Sequence, residues 1–369
     1  ESERLKIWLG TRRVAVFLDE SAKIKNPDSE LTQAFFDLAP LFSRRVIMTG
    51  TPVANRPFDI WAQVYFLDQG AALGQDFKEF KRNTDFSRGL ANSEAEFHQF
   101  QHNLVEVNRA LSSFSVRETK NSGRISLPNK EYLAIACEWE PTQAELYRQV
   151  KEDLRTAVIQ DGKLVEDTQD SILKRLLRLV QIASNPKLVD ESYDAEPGKF
   201  EPLYNLISDI TKVGEKAIVW TAFNENCEWL GNRLKSFGAL TLHGKLPIER
   251  RNSVVNWFLE NPADQVLIAT PGAAKEGLTL TVANHVIFYD RTYSLDDYLQ
   301  AQDRIHRVSQ TKTCFVYTML MRDSVDEWID ALISEKRLAA QLTQGDVSVE
   351  EYRQSATLNF YEILNRVLN

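Results

Sequence analysis

Val14-Ala15-Val16-Phe17-Leu18-Asp19-Glu20 and Arg45-Val46-Ile47-Met48-Thr49-Gly50-Thr51-Pro52 decide the fold class. Each is a continuous apolar run closed by polar residues. Such runs suit strands buried on both faces, as in a parallel sheet. Between them, Glu30 to Phe42 carries Leu31, Ala34, Phe35, Leu38 and Leu41 at helical spacing. The result is a strand–helix–strand unit with polar residues at the carboxyl ends of both strands. In open α/β sheets that edge is where ligands bind.

The same alternation returns further along. Ala217–Trp220 reads as a strand, Glu225–Phe237 as a helix stopped by Gly238, and Ala239–Leu242 as a strand ending at His243-Gly244. Ile248–Leu259 is a helix and Gln265–Ala269 a strand. Val286–Tyr289 is a strand ending at Asp290, Ser294–His306 a helix and Cys314–Leu320 a strand. This order argues for a second parallel sheet with right-handed crossovers. Residues 58 to 117 look helical. Asn121, Ser122 and Gly123 break the pattern, a strand follows over Tyr132–Trp139, and helices over Thr142–Ile159 and Ser171–Ala183 lead to a linker at Tyr193–Gly198. The expected organisation is a first α/β lobe with a helical insertion over 1–125, an inter-lobe helical segment over 126–195 and a second α/β lobe over 196–340. A helical tail over 341–369 is marked by Phe360, Ile363, Leu364 and Val367.

A length of 369 residues agrees with this, at roughly 100–200 residues per domain. With 44 Lys+Arg against 52 Asp+Glu the net charge is -8, which excludes a wholly basic coat for nucleic acid but not a local basic groove. Cys137, Cys227 and Cys314 are far apart and form no CxxC pair. That argues against a disulfide framework or a zinc ribbon and for a reducing compartment. His98 and His102 share helical i,i+4 spacing but lack nearby acidic or cysteine partners for a metal. No apolar run approaches the ~20 residues of a membrane span.

Three stretches carry chemistry. Asp19-Glu20, two carboxylates at a strand end, can hold a hydrated Mg²⁺ and orient a water toward a phosphate, or can simply cap the next helix. Thr270-Pro271-Gly272-Ala273-Ala274-Lys275-Glu276-Gly277-Leu278-Thr279-Leu280 is a small-residue turn after a buried strand, able to bring backbone N–H groups close to a phosphate. Gln300 to Gln310 holds Arg304 and Arg307 at i,i+3. On one helix face they can neutralise a transferred phosphoryl group, or they can form surface salt bridges.

Taken in order, these stretches resemble the Swi/Snf family of superfamily-two DNA translocases. Leu18-Asp19-Glu20-Ser21-Ala22-Lys23-Ile24-Lys25-Asn26-Pro27 is similar to motif II, and Met48-Thr49-Gly50-Thr51-Pro52-Val53-Ala54-Asn55 to motif III. Arg117-Glu118-Thr119-Lys120 with Leu127-Pro128-Asn129-Lys130 resembles the inter-lobe signature, and Asn185-Pro186 the segment before the second lobe. Ile218–Phe223 with His243-Gly244 resembles motif IV, Gly272–Leu280 motif V and Gln300–Gln310 motif VI. The resemblance implies two RecA-like parallel-sheet lobes, the first of them incomplete, joined by a helical segment. It implies ATP and Mg²⁺ as cofactors and double-stranded DNA as partner. Asp19 would hold Mg²⁺ through water and Glu20 would activate the attacking water. Thr49, Gly50, Thr51, Gly277 and Gln300 would couple nucleotide to DNA, and Arg304 and Arg307 would serve as arginine fingers.

The sequence departs from that pattern in places. Ala22 stands where motif II has histidine, and Ser309 replaces a motif VI glycine. No GxxxxGK[ST] phosphate loop is present: the Gly-Lys pairs are followed by Leu164, Phe200 and Leu246. The expected function is therefore the C-terminal portion of an ATP-driven duplex translocase, nearly inactive in ATP hydrolysis by itself. The alternatives are a non-hydrolysing DNA- or protein-binding module, or half of a split ATPase completed by a protein partner. The expected location is the cytoplasm, with the nucleoid in a bacterium, or the nucleus in a eukaryote.

Overall fold

The computed structural model describes residues 2–53, 55–85, 94–118, 126–160, 163–164, 169–274 and 277–355. Its contacts divide the chain into two units, Glu1–Arg117 with Ile333–Glu362, and Glu118–Leu332 with Ile363–Asn369.

In the first unit, β1 (Ala15–Leu18) pairs in parallel with β2 (Arg44–Ile47), Ala15 opposite Arg44 and Leu18 opposite Ile47. Parallel pairing requires a crossover, and the helix Glu30–Leu38 supplies it. Ser29 caps that helix, its Oγ accepting the Thr32 N–H. Ile24, Ala39 and Phe66 form the core, with Val16, Leu18, Phe35, Phe36 and Ile47 packed against it. The opposite face of β1 and β2 is not buried as the apolar runs predict: Phe17 is 66% and Val46 38% exposed. Successive strand residues point to opposite faces, and helices cover only the face of Val16, Leu18 and Ile47. The helices Ile60–Asp68, Phe77–Thr84 and Glu94–Ser112 complete the first part of this unit.

The second unit is built on β3 (Lys130–Cys137), β6 (Ala217–Trp220), β7 (Ala239–Leu242), β8 (Val266–Ala269), β9 (His285–Phe288) and β10 (Cys314–Met321). A short antiparallel pair, β4 (Ile159–Gln160) and β5 (Lys163–Leu164), stands apart from the sheet. The six strands run in the order β3-β10-β9-β6-β8-β7 and every pair is parallel. All residues of β6, β8 and β9 are buried, as apolar runs sandwiched by helices should be. Ile218, Trp220, Phe258, Leu267, Phe288 and Ile305 lie in one core. Gly238, at φ 65°, ends the turn before β7, where a Cβ would stand 1.9 Å from the Ala263 carbonyl oxygen. The segment 126–195 supplies β3 to the sheet edge, Lys130 beside Cys314 through Cys137 beside Met321. It then forms the helices Pro141–Val158 and Gln169–Ser184. Trp328 and Ile329 of the helix Val325–Gln344 are buried in this unit.

The later half of that helix belongs to the first unit, where Ala339 and Leu342 pack with Phe100, Leu104 and Tyr352. Arg117 pairs there with Asp346 and donates to the Gln344 carbonyl. The helix expected from Tyr352 onward begins at Val349 and is described to Ser355. Phe360, Ile363, Leu364 and Val367 lie outside the described residues, as do Thr119 and Lys120.

At the amino edge of the sheet, His285 stacks on Phe315 at 5.0 Å and donates from Nε2 to Glu215 at 2.7 Å. Lys312 and Asn284 also donate to Glu215. Burial alone would raise the Glu215 carboxyl, but these three donors outweigh it and hold it at about 2. Burial lowers the His285 pKa, against the Glu215 hydrogen bond and charge. Because the folded pKa of Glu215 is depressed, its contribution is fully present above the unfolded value near 4.5 and is lost as pH falls toward about 2. Glu215→Gln should therefore cost about 1–3 kcal/mol at pH 7 and progressively less below pH 4.5, read as urea midpoints across pH. A constant difference across that range contradicts the assignment. With one face of β1 and β2 in solvent, their amides should exchange at least about 100-fold faster than those of β6, β8 and β9. Equal protection by hydrogen-exchange mass spectrometry contradicts this.

Candidate functional site

Asp19 and Glu20 follow β1 directly, and both are exposed. Glu20 sits in the left-handed region at φ 52° and ψ 47°, an uncommon backbone for a residue with a side chain. Its N–H is held by Asp19 Oδ1 at 2.9 Å. The chain then turns into a short helix, Ser21–Ile24, whose first N–H donates to the Met48 carbonyl at 3.1 Å. That bond ties the acidic turn to the Thr49-Gly50-Thr51 loop after β2, where Thr49 Oγ1 accepts the Thr51 N–H at 3.1 Å. Gln63 completes the joint. Fully buried, it accepts from Ser21 Oγ at 2.8 Å and donates to the carbonyls of Pro52 and Asp59, both at 2.9 Å. Sequence reasoning missed Gln63. Its signal was a single amide within the apolar helical run Ile60-Trp61-Ala62-Gln63-Val64-Tyr65-Phe66.

In the second unit, the helix expected over Ser294–His306 ends at Gln302. Arg304 and Arg307 therefore lie in the turn that follows and not on one helix face. The reason is tertiary: the Arg304 carbonyl accepts the Leu280 N–H at 3.0 Å, and Ile305 drops into the core. Arg304 is buried, donating to the Leu278 carbonyl at 3.4 Å. Arg307 is half-buried and donates to the Gly277 carbonyl at 3.2 Å and to Thr279 Oγ1 at 2.8 Å. Gly277, at φ 60°, has the left-handed backbone that glycine adopts most easily. Gln300 stands one turn earlier, its amide on Asp296 Oδ1 at 2.8 Å. Gln310 donates to the carbonyls of Ala283, Ile305 and Thr281. The structure thus gathers Asp19, Glu20, Thr49, Gly50 and Thr51 in one unit, and Gly277, Gln300, Arg304 and Arg307 in the other.

The carboxyl ends of β6, β8 and β9 and the loop after β7 frame an open pocket of about 290 Å³, lined among others by Ala222, Asn224, Gly244, Gly272, Asp290 and Arg291. Asp290 organises its wall. Fully buried, it accepts the Ala222 N–H at 2.6 Å, Ser184 Oγ at 2.6 Å, Thr221 Oγ1 at 2.7 Å and Asn226 Nδ2 at 3.2 Å. Burial raises its pKa, against those hydrogen bonds and the Lys199 cation. Lys199 is itself fully buried, paired with Asp326 at 2.6 Å and donating to the Tyr289 carbonyl at 2.9 Å. Among the described residues no group of three or more His, Cys, Asp or Glu is placed to share a metal ion. Asp19 and Glu20 are an exposed carboxylate pair, which suits an ion such as Mg²⁺ that keeps most of its waters and takes one or two carboxylates.

An acidic turn after a parallel strand, a joined Thr-Gly-Thr loop and a second sheet unit carrying two arginines define a helicase-like protein of two α/β domains. Residues 7–188 match the SNF2-related domain and residues 198–309 match the helicase conserved C-terminal domain. The chain belongs to the Swi/Snf family of helicase-like proteins. It is similar to an uncharacterized ATP-dependent helicase of Mycoplasma genitalium, 25% identical over 97% of this chain and 33% of that protein. It is also similar to a chromatin structure-remodeling complex subunit of Schizosaccharomyces pombe, 25% identical over 85% of this chain and 28% of that protein. The chain thus spans about a third of the length of these curated relatives. Among solved structures, the Sulfolobus solfataricus SWI2/SNF2 ATPase core in complex with dsDNA matches with a TM-score of 0.50 and 26% identity, over 93% of this chain and 73% of that one. The α/β fold is that of RecA-like lobes.

Asp290→Ala should lower unfolding free energy by at least about 3 kcal/mol, because several buried donors lose a shared acceptor. Urea unfolding followed by tryptophan fluorescence checks it. A loss below about 1 kcal/mol would mean that the loops around the cavity hold without the carboxylate.

Proposed function

We propose that this chain is the C-terminal portion of an ATP-driven double-stranded DNA translocase or remodeller. The observation that carries the reading is the exposed Asp19-Glu20 pair at the carboxyl end of β1, in a chain that holds both domains of this family. Asp19 would hold a hydrated Mg²⁺, and Glu20 would take the proton of the attacking water. The Mg²⁺ ion supplies charge neutralisation on the phosphate oxygens. The Ser21–Met48 bond and Gln63 make the acidic turn and the Thr49-Gly50-Thr51 loop move as one piece, so a change at the nucleotide is felt at the loop. Arg307, held by the Gly277 and Thr279 oxygens, offers its guanidinium to the developing phosphoryl charge. Arg304 is committed to Leu278 and keeps the turn in place. Thr49, Gly50, Thr51, Gly277 and Gln300 couple the nucleotide to DNA. Backbone tracking needs only local donors, in keeping with a net charge of -8. Partners include duplex DNA and proteins that regulate the motor or supply its phosphate loop. The protein works in the cytoplasm, at the nucleoid, or in a nucleus.

The second reading is a non-hydrolysing DNA- or protein-binding module. ATP turnover with and without duplex DNA, measured for this chain and for a form extended by its natural upstream sequence, separates the two. The translocase reading expects DNA-stimulated turnover in the extended form alone. Glu20→Gln should cut kcat there by about 100-fold or more while nucleotide still binds. Absence of turnover in both forms, with DNA still bound, supports the binding module.

A further inference from the structure

Past Gln302 the turn that carries the two arginines is held locally by isolated bonds, Asp303 N–H to the Leu299 carbonyl at 3.2 Å, Arg304 N–H to the Ala301 carbonyl at 3.4 Å and Gln310 N–H to the Arg307 carbonyl at 2.8 Å, and neighbours fix where it sits. Residues 277–281 and 283 hold one side through Arg304, Arg307, Ser309 and Gln310. The other side is held by the start of β3. The Pro128 carbonyl accepts from His306 Nε2 at 2.8 Å. Lys130 Nζ donates to Asp303 Oδ1 at 2.8 Å and to Gln302 Oε1 at 3.3 Å. Tyr132 Oη donates to the same Gln302 oxygen at 2.7 Å. The Asn129 carbonyl accepts the Cys314 N–H at 2.9 Å, where the chain leaves the turn for β10.

We propose that Lys130 and Tyr132, with the Pro128 carbonyl, form a seat that positions the Asp303–Arg307 turn. They are positioning residues for the phosphoryl chemistry of the proposed translocase, and this inference rests on that reading. Three features point this way. The contacts fall on Gln302, Asp303 and His306, which bracket Arg304. The seat cannot slide along the turn, because β3 and β10 are paired in fixed register from Lys130 and Cys314 onward. Gln302 is almost fully buried and its amide oxygen is shared by Lys130 and Tyr132, so both side chains act on one buried atom. Leu127-Pro128-Asn129-Lys130 thereby transmits the placement of the sheet-edge strand to the arginines. Little global stability is at stake in the single variants, since each leaves the Gln302 oxygen one partner and the Asp303 side chain, 39% exposed, can be rehydrated.

The test is the pair Lys130→Met and Tyr132→Phe, singly and together. In this chain, hydrogen exchange of the amides over 303–309 should quicken about 10-fold or more, with β6, β8 and β9 unchanged. In the extended form, DNA-stimulated kcat should fall about 10-fold or more with KM for ATP within about twofold, and Lys130→Arg should restore most of it. Unaltered exchange over 303–309 overturns the seat. Unaltered kcat despite faster exchange overturns its positioning role. A parent that shows no DNA-stimulated turnover refutes the translocase reading instead, and the exchange measurement still decides whether the seat holds the turn.

Discussion

Parallel pairing is the constraint on which the rest of this structure depends. When every strand of β3-β10-β9-β6-β8-β7 runs the same way, each must be reached by a crossover, and all carboxyl ends fall on one edge. That edge gathers Ala222, Gly244, Gly272 and Asp290 from stretches far apart in sequence. The β1–β2 pair obeys the same rule on a smaller scale and brings Asp19 beside the loop of Thr49.

Loops collected on one edge still need holding, and here buried polar groups do it. The Asp290 carboxyl and the Lys199–Asp326 pair are removed from water, which is costly unless each is met by hydrogen bonds. They are met densely. Asp290 accepts from three side chains and a backbone N–H, which ties the end of the helix Gln169–Ser184 to the loops after β6 and β9. An apolar cluster of the same volume could pack there, but it would not fix the angle of each loop, since hydrogen bonds are directional and dispersion is not.

The two arginines show how tertiary contact overrides local pattern. Ser294 to His306 reads as a helix, but the Arg304 carbonyl goes to Leu280 and His306 to Pro128, and the helix stops at Gln302. Arg304 is buried and donates to the Leu278 carbonyl, and Arg307 is half-buried with its guanidinium held by two oxygens.

Much of this was legible from residues alone. Apolar runs and their breakers placed β1, β6, β7 and β8 almost to the residue, because burial on a period of two or 3.6 leaves a trace in composition. Asp19, Glu20 and the Thr49-Gly50-Thr51 loop were marked by their place at strand ends. Four things were not legible: the exposed face of Phe17 and Val46, the roles of Gln63 and Asp290, the early end of the helix at Gln302, and the seat made by Lys130 and Tyr132. Each depends on partners distant along the chain, as in Gln302 with Tyr132 at a separation of 170. Sequence determined which segments are strands and helices and which carry chemistry, because those properties follow from near neighbours. Only the tertiary structure decided which polar groups meet, because a hydrogen bond is set by distance in space and not along the chain.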